Sequence, residues 1–307
     1  MEYFDLHCDT ATECMERGCG LYENDRNVSL KRAEKYSRWA QVFAVWIPEK
    51  LHGADAYRYF RKAAGFFAGE MEKNRGRVRF CRTPAELRGA GPRAALLSIE
   101  GGAALDGKIG HLYDARRLGV RMMTLTWNGR CELGDGCMVP DAGGLTPFGF
   151  EVVREMERLH ITVDVSHLSE KGFWDVARAA RRPFVASHSD SRAVCGHPRN
   201  LTDGQFRELA QAGGLAGINL HRDFLRGENA SLDDALDHIA HFLNLGGKKA
   251  VAIGSDFDGC TLPKGVSGVQ DMDRLYAMVS KSFGAETADD IFWRNAYRFF
   301  SSEDTAL

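Results

Sequence analysis

The sequence lacks the features that mark several common classes of protein. Its 8 cysteines are scattered among 307 residues and no two have the CxxC spacing. In a chain of this size that pattern indicates reduced thiols rather than a disulfide framework or a thiolate zinc site. No apolar run approaches the roughly 20 residues that a membrane-spanning helix needs. The first residues also lack the basic and apolar regions of a signal peptide. We therefore expect a cytoplasmic protein without a membrane partner.

The chain also lacks an excess of charge of either sign. Its net charge is -2 and its pI is about 6.6, so nothing favours nucleic acid as a partner. The hydrophobic fraction of 44% and the charged fraction of 27% are typical of a globular protein. We find no internal repeat, low-complexity tract or linker. A length of 307 residues suits a single α/β barrel, and we predict one domain over residues 1–307.

Short apolar runs alternate with helix-like segments along the whole chain. Most of the runs are almost continuously apolar, as expected of strands that are covered on both faces. The alternation indicates parallel βαβ units, and eight of them predict a (β/α)8 TIM-type barrel, with an open doubly wound sheet as the alternative. The runs comprise residues 3–6, 41–47, 94–99, 121–126, 161–166, 184–187, 215–220 and 251–255. The helical patterns comprise residues 54–74, 109–118, 147–159, 170–180, 202–212, 232–245, 271–282 and 288–300.

Histidines and carboxylates stand at the ends of these apolar runs. Alternate residues of a strand point the same way, so His7 and Asp9 can reach one metal ion. Glu100, His167 and His188 end later runs, and a barrel brings the carboxyl ends of its strands to one mouth. We predict a metal centre there. Imidazole and carboxylate ligands suit zinc, with manganese or iron as alternatives. A metal centre at a barrel mouth indicates hydrolysis.

Asp256 ends the last apolar run and could serve as a ligand or as a general base. Five ligands already suffice for two ions if Glu100 bridges them, so the role of base is favoured. The glycine-rich residues 131–144 follow the fourth run and are expected to shape the barrel mouth. The remaining histidines, His238 among them, fall in helical or loop patterns and are expected at the surface.

Six segments, in this order, closely resemble those of the renal (membrane) dipeptidase family of the amidohydrolase barrel superfamily. They are DLHCDT, SIEGG, MTLTWN, DVSHLS, SHSDSRAVCGHPRN and GSDFDG. The resemblance implies a binuclear zinc site, with His7 and Asp9 on one ion, His167 and His188 on the other, and Glu100 bridging them. It implies a metal-bridging hydroxide that attacks the peptide bond of a dipeptide, including dipeptides of L,D configuration, and it implies a homodimer.

The resemblance also implies roles for residues around the metal site. Asp256 would orient the hydroxide and shuttle its proton. Arg199 corresponds to the family arginine that binds the substrate carboxylate, for which a guanidinium is well suited, and Arg192 is the rival candidate.

Two positions depart from the animal members of the family. Trp127 stands where they have a histidine that stabilises the oxyanion, so that this role would fall to zinc alone or to Asn128. His221 replaces a tyrosine near the end of the seventh strand. These departures leave two alternatives open. One is hydrolysis of another small amide, such as an N-acyl amino acid or a lactam. The other is a metal-binding scaffold with little activity.

Overall fold

Eight parallel strands close into a barrel in the computed structural model, which describes residues 1–302. Each of the eight predicted runs overlaps one barrel strand, so the predicted fold is confirmed. Three further short strands lie outside the barrel: β3 extends the sheet beside β4, and β6 and β7 form a hairpin. The strands are β1 (Glu2–Cys8), β2 (Arg38–Trp46), β3 (Arg79–Phe80), β4 (Arg93–Glu100), β5 (Val120–Thr124), β6 (Arg130–Cys131), β7 (Gly134–Asp135), β8 (Thr162–Asp164), β9 (Val185–Ala186), β10 (Leu215–Ile218) and β11 (Val251–Ile253).

Pairing of β2 with β4 closes the sheet and excludes the open alternative. The barrel order is β2-β1-β11-β10-β9-β8-β5-β4, and the register between β4 and β2 runs from Trp39 opposite Arg93 to Trp46 opposite Glu100. All neighbouring barrel strands are parallel, so their carboxyl ends lie at one mouth. The register between β1 and β2 shifts between Asp5 and Cys8. His7 lies within this irregularity.

The helices follow the predicted pattern closely because their ends carry local signals. Seven predicted helices agree with α3, α5, α6, α7, α8, α10 and α11 to within one residue at each end. Ser169 and Thr202 cap α7 and α8 by accepting a hydrogen bond from the backbone three residues on. The helices are α1 (Thr10–Arg17), α2 (Leu30–Ala33), α3 (Gly53–Lys73), α4 (Pro84–Arg88), α5 (Ile109–Arg117), α6 (Pro147–Arg158), α7 (Glu170–Ala179), α8 (Asp203–Gln211), α9 (Arg222–Leu225), α10 (Leu232–Asn244), α11 (Met272–Phe283), α12 (Ala285–Asp289) and α13 (Asn295–Ser301).

The helix predicted over residues 288–300 differs from the structure. A π-helical turn over Asp290–Arg294 separates α12 from α13, and its apolar residues Ile291, Phe292 and Trp293 are buried. A π turn has a wider spacing than the 3.6-residue period used to read the sequence, so the period alone did not reveal it.

Two clusters of buried side chains form the core. The larger one joins the helices to the barrel strands. The smaller one contains alternate residues of several barrel strands, such as Phe4, Leu6 and Val42, together with Trp293 and Phe300 from the C-terminal segment. Within residues 1–302, no helix combines the length and the apolar character required to cross a bilayer.

Candidate metal centre and active site

The five predicted ligands meet at the mouth of the barrel. His7 lies near the end of β1, Asp9 directly after it, and Glu100 is the last residue of β4. His167 and His188 follow the ends of β8 and β9 by three and two residues. All five are buried, with at most 7% of each residue exposed. The closed barrel therefore brings together residues that are up to 181 positions apart in sequence.

The Glu100 carboxylate lies at the centre of this cluster. Its Oε1 is 2.8 Å from His167 Nε2 and 3.7 Å from His188 Nε2, while its Oε2 is 3.4 Å from His7 Nε2. His7 Nε2 is also 3.4 Å from Asp9 Oδ2. One oxygen of Glu100 thus faces the histidine pair and the other faces His7 and Asp9. Glu100 therefore lies between the two predicted pairs of ligands.

Hydrogen bonds fix which ring nitrogen of each histidine faces the cluster. His167 Nδ1 lies 2.8 Å from Asn128 Oδ1, which can only accept, so Nδ1 carries the proton. Ser187 Oγ donates its hydrogen to Asp164 Oδ2 and must therefore accept from His188 Nδ1, 2.7 Å away. Both Nε2 atoms consequently present lone pairs, as metal-ligating imidazoles do.

These lone pairs point at one another rather than at donors. His167 Nε2 lies 2.9 Å from His188 Nε2, and Glu100 Oε1 is an acceptor as well. Three further buried atoms have no hydrogen-bond partner among the described residues: His7 Nδ1, His7 Nε2 and Asp9 Oδ1. Acceptors packed together in this way are repulsive unless a cation lies between them. The donor set therefore fits a divalent metal ion.

In the protein without metal, the electrostatics divide the three histidines. Although burial opposes it, the negative charges of Glu100 and Asp9 raise the pKa of His7 well above its usual value, so His7 holds a proton that a metal ion would displace. Burial, followed by the negative charge of Glu100, raises the pKa of Asp9 to about 7. Burial, with a contribution from the charge of Arg199, lowers the pKa of His167 to about 4. Burial also lowers the pKa of His188 well below its usual value. The two imidazoles are thus neutral and ready to bind a metal near pH 7.

Asp256 lies at the edge of this cluster. Its Oδ1 is 4.0 Å from His7 Nε2, and its Oδ2 accepts a 3.0 Å hydrogen bond from Asn219 Nδ2. Burial, with the negative charge of Glu100 as a further cause, raises the pKa of Asp256 to about 6. His7, Asp9 and Asp256 could also form a three-ligand group, so geometry alone does not separate a base from a ligand.

Two of the site residues have a left-handed backbone. His167 has φ 67° and Asp256 has φ 62°, a region that residues other than glycine adopt uncommonly, although aspartate and histidine do so more often than most. Strain of this kind is concentrated at functional sites, where the surrounding structure enforces it. Here both residues lie three positions after the end of a strand, β8 or β11, and both side chains point towards the same cluster.

A cavity of about 300 Å³ opens above the cluster. Its wall is acidic and aromatic, and no lysine or arginine lines it among the described residues. That size accommodates a small substrate such as a dipeptide. The lining residues are Asp9, Thr12, Glu13, Glu16, Trp46, Tyr59, Glu100, Trp127, Asn128, His167, His221, Phe224, Asp256, Asp258 and Gly259.

The two candidate arginines lie in different surroundings. Arg199 is 4% exposed; its guanidinium donates to the His188 carbonyl oxygen and to Ser189 Oγ and lies 5.3 Å from the Phe224 ring. No carboxylate among the described residues forms an ion pair with it. Arg192 lies nearer the surface and is paired with Glu170 at 2.9 Å. Arg199 is therefore the arginine that has no carboxylate partner and lies beside the cavity wall.

The remaining predicted site residues also line the cavity. The Trp127 ring packs edge-on against Trp46 at 5.5 Å and lies 6.1 Å from the ring of His167. Asn128 uses its amide oxygen to orient His167. The His221 ring stacks on Phe224 at 4.2 Å and accepts a hydrogen bond from the backbone at the start of α9.

Sequence reasoning missed several residues of this region. They include Asn219, Tyr59 and Phe224. Asn219 lies inside the predicted apolar run over residues 215–220, whereas the structure ends β10 at Ile218 and so places Asn219 directly after the strand. The expectation of a surface role for His238 is wrong. His238 is fully buried; its Nδ1 accepts from the Ser191 amide and its Nε2 bonds the Leu225 carbonyl. It joins the segment that carries Arg199 to α9, a long-range contact that a helical pattern does not show.

Comparison with known proteins gives one family and two informative relatives among curated sequences. Residues 1–306 match the family described as membrane dipeptidase, peptidase family M19. An uncharacterized protein encoded in the pqqA 5′ region of Klebsiella pneumoniae is 36% identical over 238 residues, which cover 73% of this chain and 88% of that protein. An uncharacterized dipeptidase of Schizosaccharomyces pombe is 34% identical over 205 residues, covering 64% of this chain and 49% of that protein.

Two solved structures share the fold over almost their whole length. The crystal structure of dipeptidase AC, a metallopeptidase of family M19, superposes with a TM-score of 0.91 at 28% identity, covering 98% of this chain and 99% of the other. A metallopeptidase from Rhodobacter sphaeroides, bound to a phosphinate mimic of the dipeptide L-Ala-D-Ala, gives a TM-score of 0.90 at 27% identity and covers 98% of both chains.

Proposed function

We propose that this chain, which belongs to the membrane dipeptidase family (peptidase family M19), hydrolyses dipeptides with two zinc ions bound at the barrel mouth. The observation that carries the proposal is the arrangement around Glu100. One carboxylate oxygen faces the unprotonated Nε2 atoms of His167 and His188. The other faces His7 and Asp9, whose buried Nε2 and Oδ1 atoms have no hydrogen-bond partner among the described residues. His7 and Asp9 would hold one ion, His167 and His188 the other, and Glu100 both.

The ions supply Lewis acidity, which activates water as a nucleophile near neutral pH and polarises the peptide carbonyl. The protein supplies the proton transfers. Asp256 would accept the proton of the attacking water and deliver it to the leaving amine. The raised pKa of Asp256, about 6, suits a group that must both take up and release a proton near neutral pH. Its Oδ1, which faces His7, is in position for this task.

Arg199 would bind the free carboxylate of the substrate. A buried guanidinium without a carboxylate partner is costly, and a substrate carboxylate would satisfy it. The bound ligand of the Rhodobacter sphaeroides relative mimics L-Ala-D-Ala. By this likeness we extend the proposal to dipeptides with a D-residue at the carboxyl end. The family resemblance also leads us to propose a homodimer, which light scattering can measure.

A second candidate function is hydrolysis of another small amide, such as an N-acyl amino acid or a lactam. Trp127 favours it, because an indole can donate a single hydrogen bond and carries no charge. Asn128 uses its amide oxygen on His167, which leaves its NH2 group as a neutral donor for the oxyanion. The oxyanion would then depend on the metal ions and on neutral donors, and the tryptophan pair would restrict the shape of the substrate.

The test combines elemental analysis with an amine-release assay on L,L and L,D dipeptides, N-acyl amino acids and lactams. About two zinc ions per chain together with turnover of dipeptides would support the proposal and reveal the preferred stereochemistry. Two ions with turnover of only N-acyl amino acids or lactams would favour the second candidate. Zinc binding without hydrolysis of any of these amides would favour a scaffold.

A further inference from the structure

We infer that Asn219 is a positioning residue that determines which oxygen of Asp256 exchanges protons with the substrate. The inference rests on the proposed role of Asp256 as the base. Asn219 directly follows β10 and is fully buried. Its Nδ2 donates to Asp256 Oδ2 at 3.0 Å and to the His188 carbonyl oxygen at 3.3 Å. One side chain thus connects the strand ends that carry the base and a metal ligand.

The orientation of the Asn219 amide is not ambiguous. Its Oδ1 accepts a 2.6 Å hydrogen bond from the backbone N–H of His221. A backbone N–H can only donate, so the amide oxygen must face His221 and the amide NH2 must face Asp256. The backbone N–H of Asn219 is held as well, by Asp190 Oδ1 at 3.0 Å. Asn219 is therefore bonded through its backbone and both side-chain polar atoms.

This orientation makes the two oxygens of Asp256 unequal. The NH2 group has no lone pair, so it holds Oδ2 as a hydrogen-bond acceptor and disfavours a proton there. Oδ1 faces the candidate metal site and lies 4.0 Å from His7 Nε2. Proton transfer consequently uses Oδ1. An O–H bond of the attacking water breaks as Oδ1–H forms; Oδ1–H then breaks as the N–H of the leaving amine forms.

The second hydrogen of the amide links the base to the arginine. The His188 carbonyl oxygen accepts from Asn219 Nδ2 and also from Arg199 Nη2, at 3.1 Å. Arg199, which would bind the substrate carboxylate, and Asp256, which would transfer the proton, are thus connected through the Asn219 amide and the His188 carbonyl oxygen. A fixed distance between them matters because misplacing a catalytic group by about 1 Å can cost 10²-fold in rate.

Asn219→Asp removes the two hydrogen bonds that the amide NH2 group donates, to Asp256 and to the His188 carbonyl oxygen. Aspartate keeps the shape and the acceptor for the His221 N–H but replaces the donor with an oxygen that repels Asp256. Asn219→Ala removes all three side-chain hydrogen bonds, including the one accepted from the His221 N–H. In the zinc-loaded protein we expect either change to lower kcat by about 10- to 100-fold, the usual effect of an outer-shell partner. We expect KM to change less than threefold and the zinc content to stay the same.

The matched control is Asn295→Ala at the opposite end of the barrel. Asn295 is equally buried, and its Nδ2 donates to the carbonyl oxygens of Lys248 and Val251 at 2.9 and 2.8 Å. Asn295→Ala therefore removes as many hydrogen bonds donated by the amide NH2 group as Asn219→Ala does, at a position outside the site. We expect it to retain the wild-type kcat. If both Asn219 variants resemble Asn295→Ala in kcat, the inference is wrong.

A double-mutant cycle separates this inference from the proposed role of Asp256. If Asn219 acts through Asp256, then Asn219→Ala will lower kcat little further in an Asp256→Asn background. Fully additive losses would overturn the inference alone. A wild-type kcat in Asp256→Asn itself would overturn the role of the base, and the inference with it.

Discussion

Asp256 is the residue on which the proposed mechanism depends most. Asp256→Asn keeps the shape and one oxygen but cannot accept a proton. We expect the variant to bind the same amount of zinc and to lose about 10²- to 10⁴-fold in kcat, the usual contribution of a general base. Elemental analysis and amine release measure the two quantities. Asp9→Ala and His188→Ala serve as controls that should lose zinc; loss of a whole ion from Asp256→Asn would instead make Asp256 a ligand.

Arg199 should contribute to binding rather than to chemistry. Arg199→Ala removes the guanidinium expected to bind the substrate carboxylate, so we expect KM for dipeptides to rise about 10- to 100-fold, in line with a lost charged hydrogen bond. Steady-state kinetics of a dipeptide and of the same dipeptide amidated at its carboxyl end check this. Arg192→Ala is the matched control. An equal effect on both substrates would contradict the proposed orientation.

Asn128 holds the ring of a proposed metal ligand. Asn128→Ala removes the 2.8 Å hydrogen bond to His167 Nδ1, so the ring can rotate and change its protonated nitrogen. We expect zinc affinity to fall about 10- to 100-fold, as for other outer-shell partners. Competition with a chelator measures it. Asn74→Ala, which removes a buried amide that bonds the Glu70 carbonyl in α3, should leave the affinity unchanged.

The candidate site was predictable to the extent that each residue followed an apolar run. His7, Glu100 and His188 are visible in this way because they stand where a strand must end. Asn219 instead lies within the predicted run over residues 215–220, and an asparagine near the end of a strand is most often a turn residue. Only its contacts with Asp256 and His188 distinguish it. Similarly, Trp127 was visible from the motif, whereas its partner Trp46 was not.

At the level of the elements, glycines allow three strand ends to pack closely. A Cβ on Gly217 in β10, or on Gly254 after β11, would overlap the Ser187 carbonyl oxygen. We expect Gly217→Ala to displace the end of β9 and His188 with it, lowering both zinc affinity and stability by about 1–3 kcal/mol. Gly65→Ala on an exposed face of α3, where a Cβ meets nothing within 4 Å, should instead be slightly stabilising. Urea unfolding and chelator competition test both.

The ends of most helices were more predictable than the π turn that separates α12 from α13. Thr202 caps α8 with a complete capping box, a signal that is contained in a few adjacent residues. The π turn over Asp290–Arg294 instead coincides with burial of Phe292 and Trp293 against the barrel. That burial depends on what the segment packs against, so a local pattern did not contain it.

For the whole molecule, we expect the metal ions to contribute to stability. Chelation should lower the melting temperature, because ions that bind only the folded state stabilise it by mass action. Without metal, burial raises the pKa of Asp9 to about 7 and that of Asp256 to about 6. The folded state then holds protons that the unfolded chain, with a carboxyl pKa of about 3.9, has released.

The sign of the pH dependence follows from these protons. A raised pKa in the folded state gives stability that is present at low pH and is lost as pH rises. His167 and His188 oppose this loss, because their lowered pKa values give stability that increases with pH up to about 6.5, the ordinary value for histidine. Unfolding of the metal-free protein should therefore become easier mainly above about pH 6, where Asp9 and His7, whose pKa values are raised, lose their protons. The zinc-loaded protein should not show this loss, because zinc replaces the protons. Denaturant titrations of both forms across this range check the prediction, and parallel curves would contradict it.

The sequence by itself determined the eight apolar runs that form the barrel strands, the ends of seven helices and the choice of the candidate ligands. These depend on burial of apolar runs, on capping side chains and on the position of a residue in its own strand. Tertiary structure decided the rest: the closure between β2 and β4, the tautomers of His167 and His188, and the bond that makes the two oxygens of Asp256 unequal. Each of these joins residues that are distant in sequence, so only the folded geometry contains them.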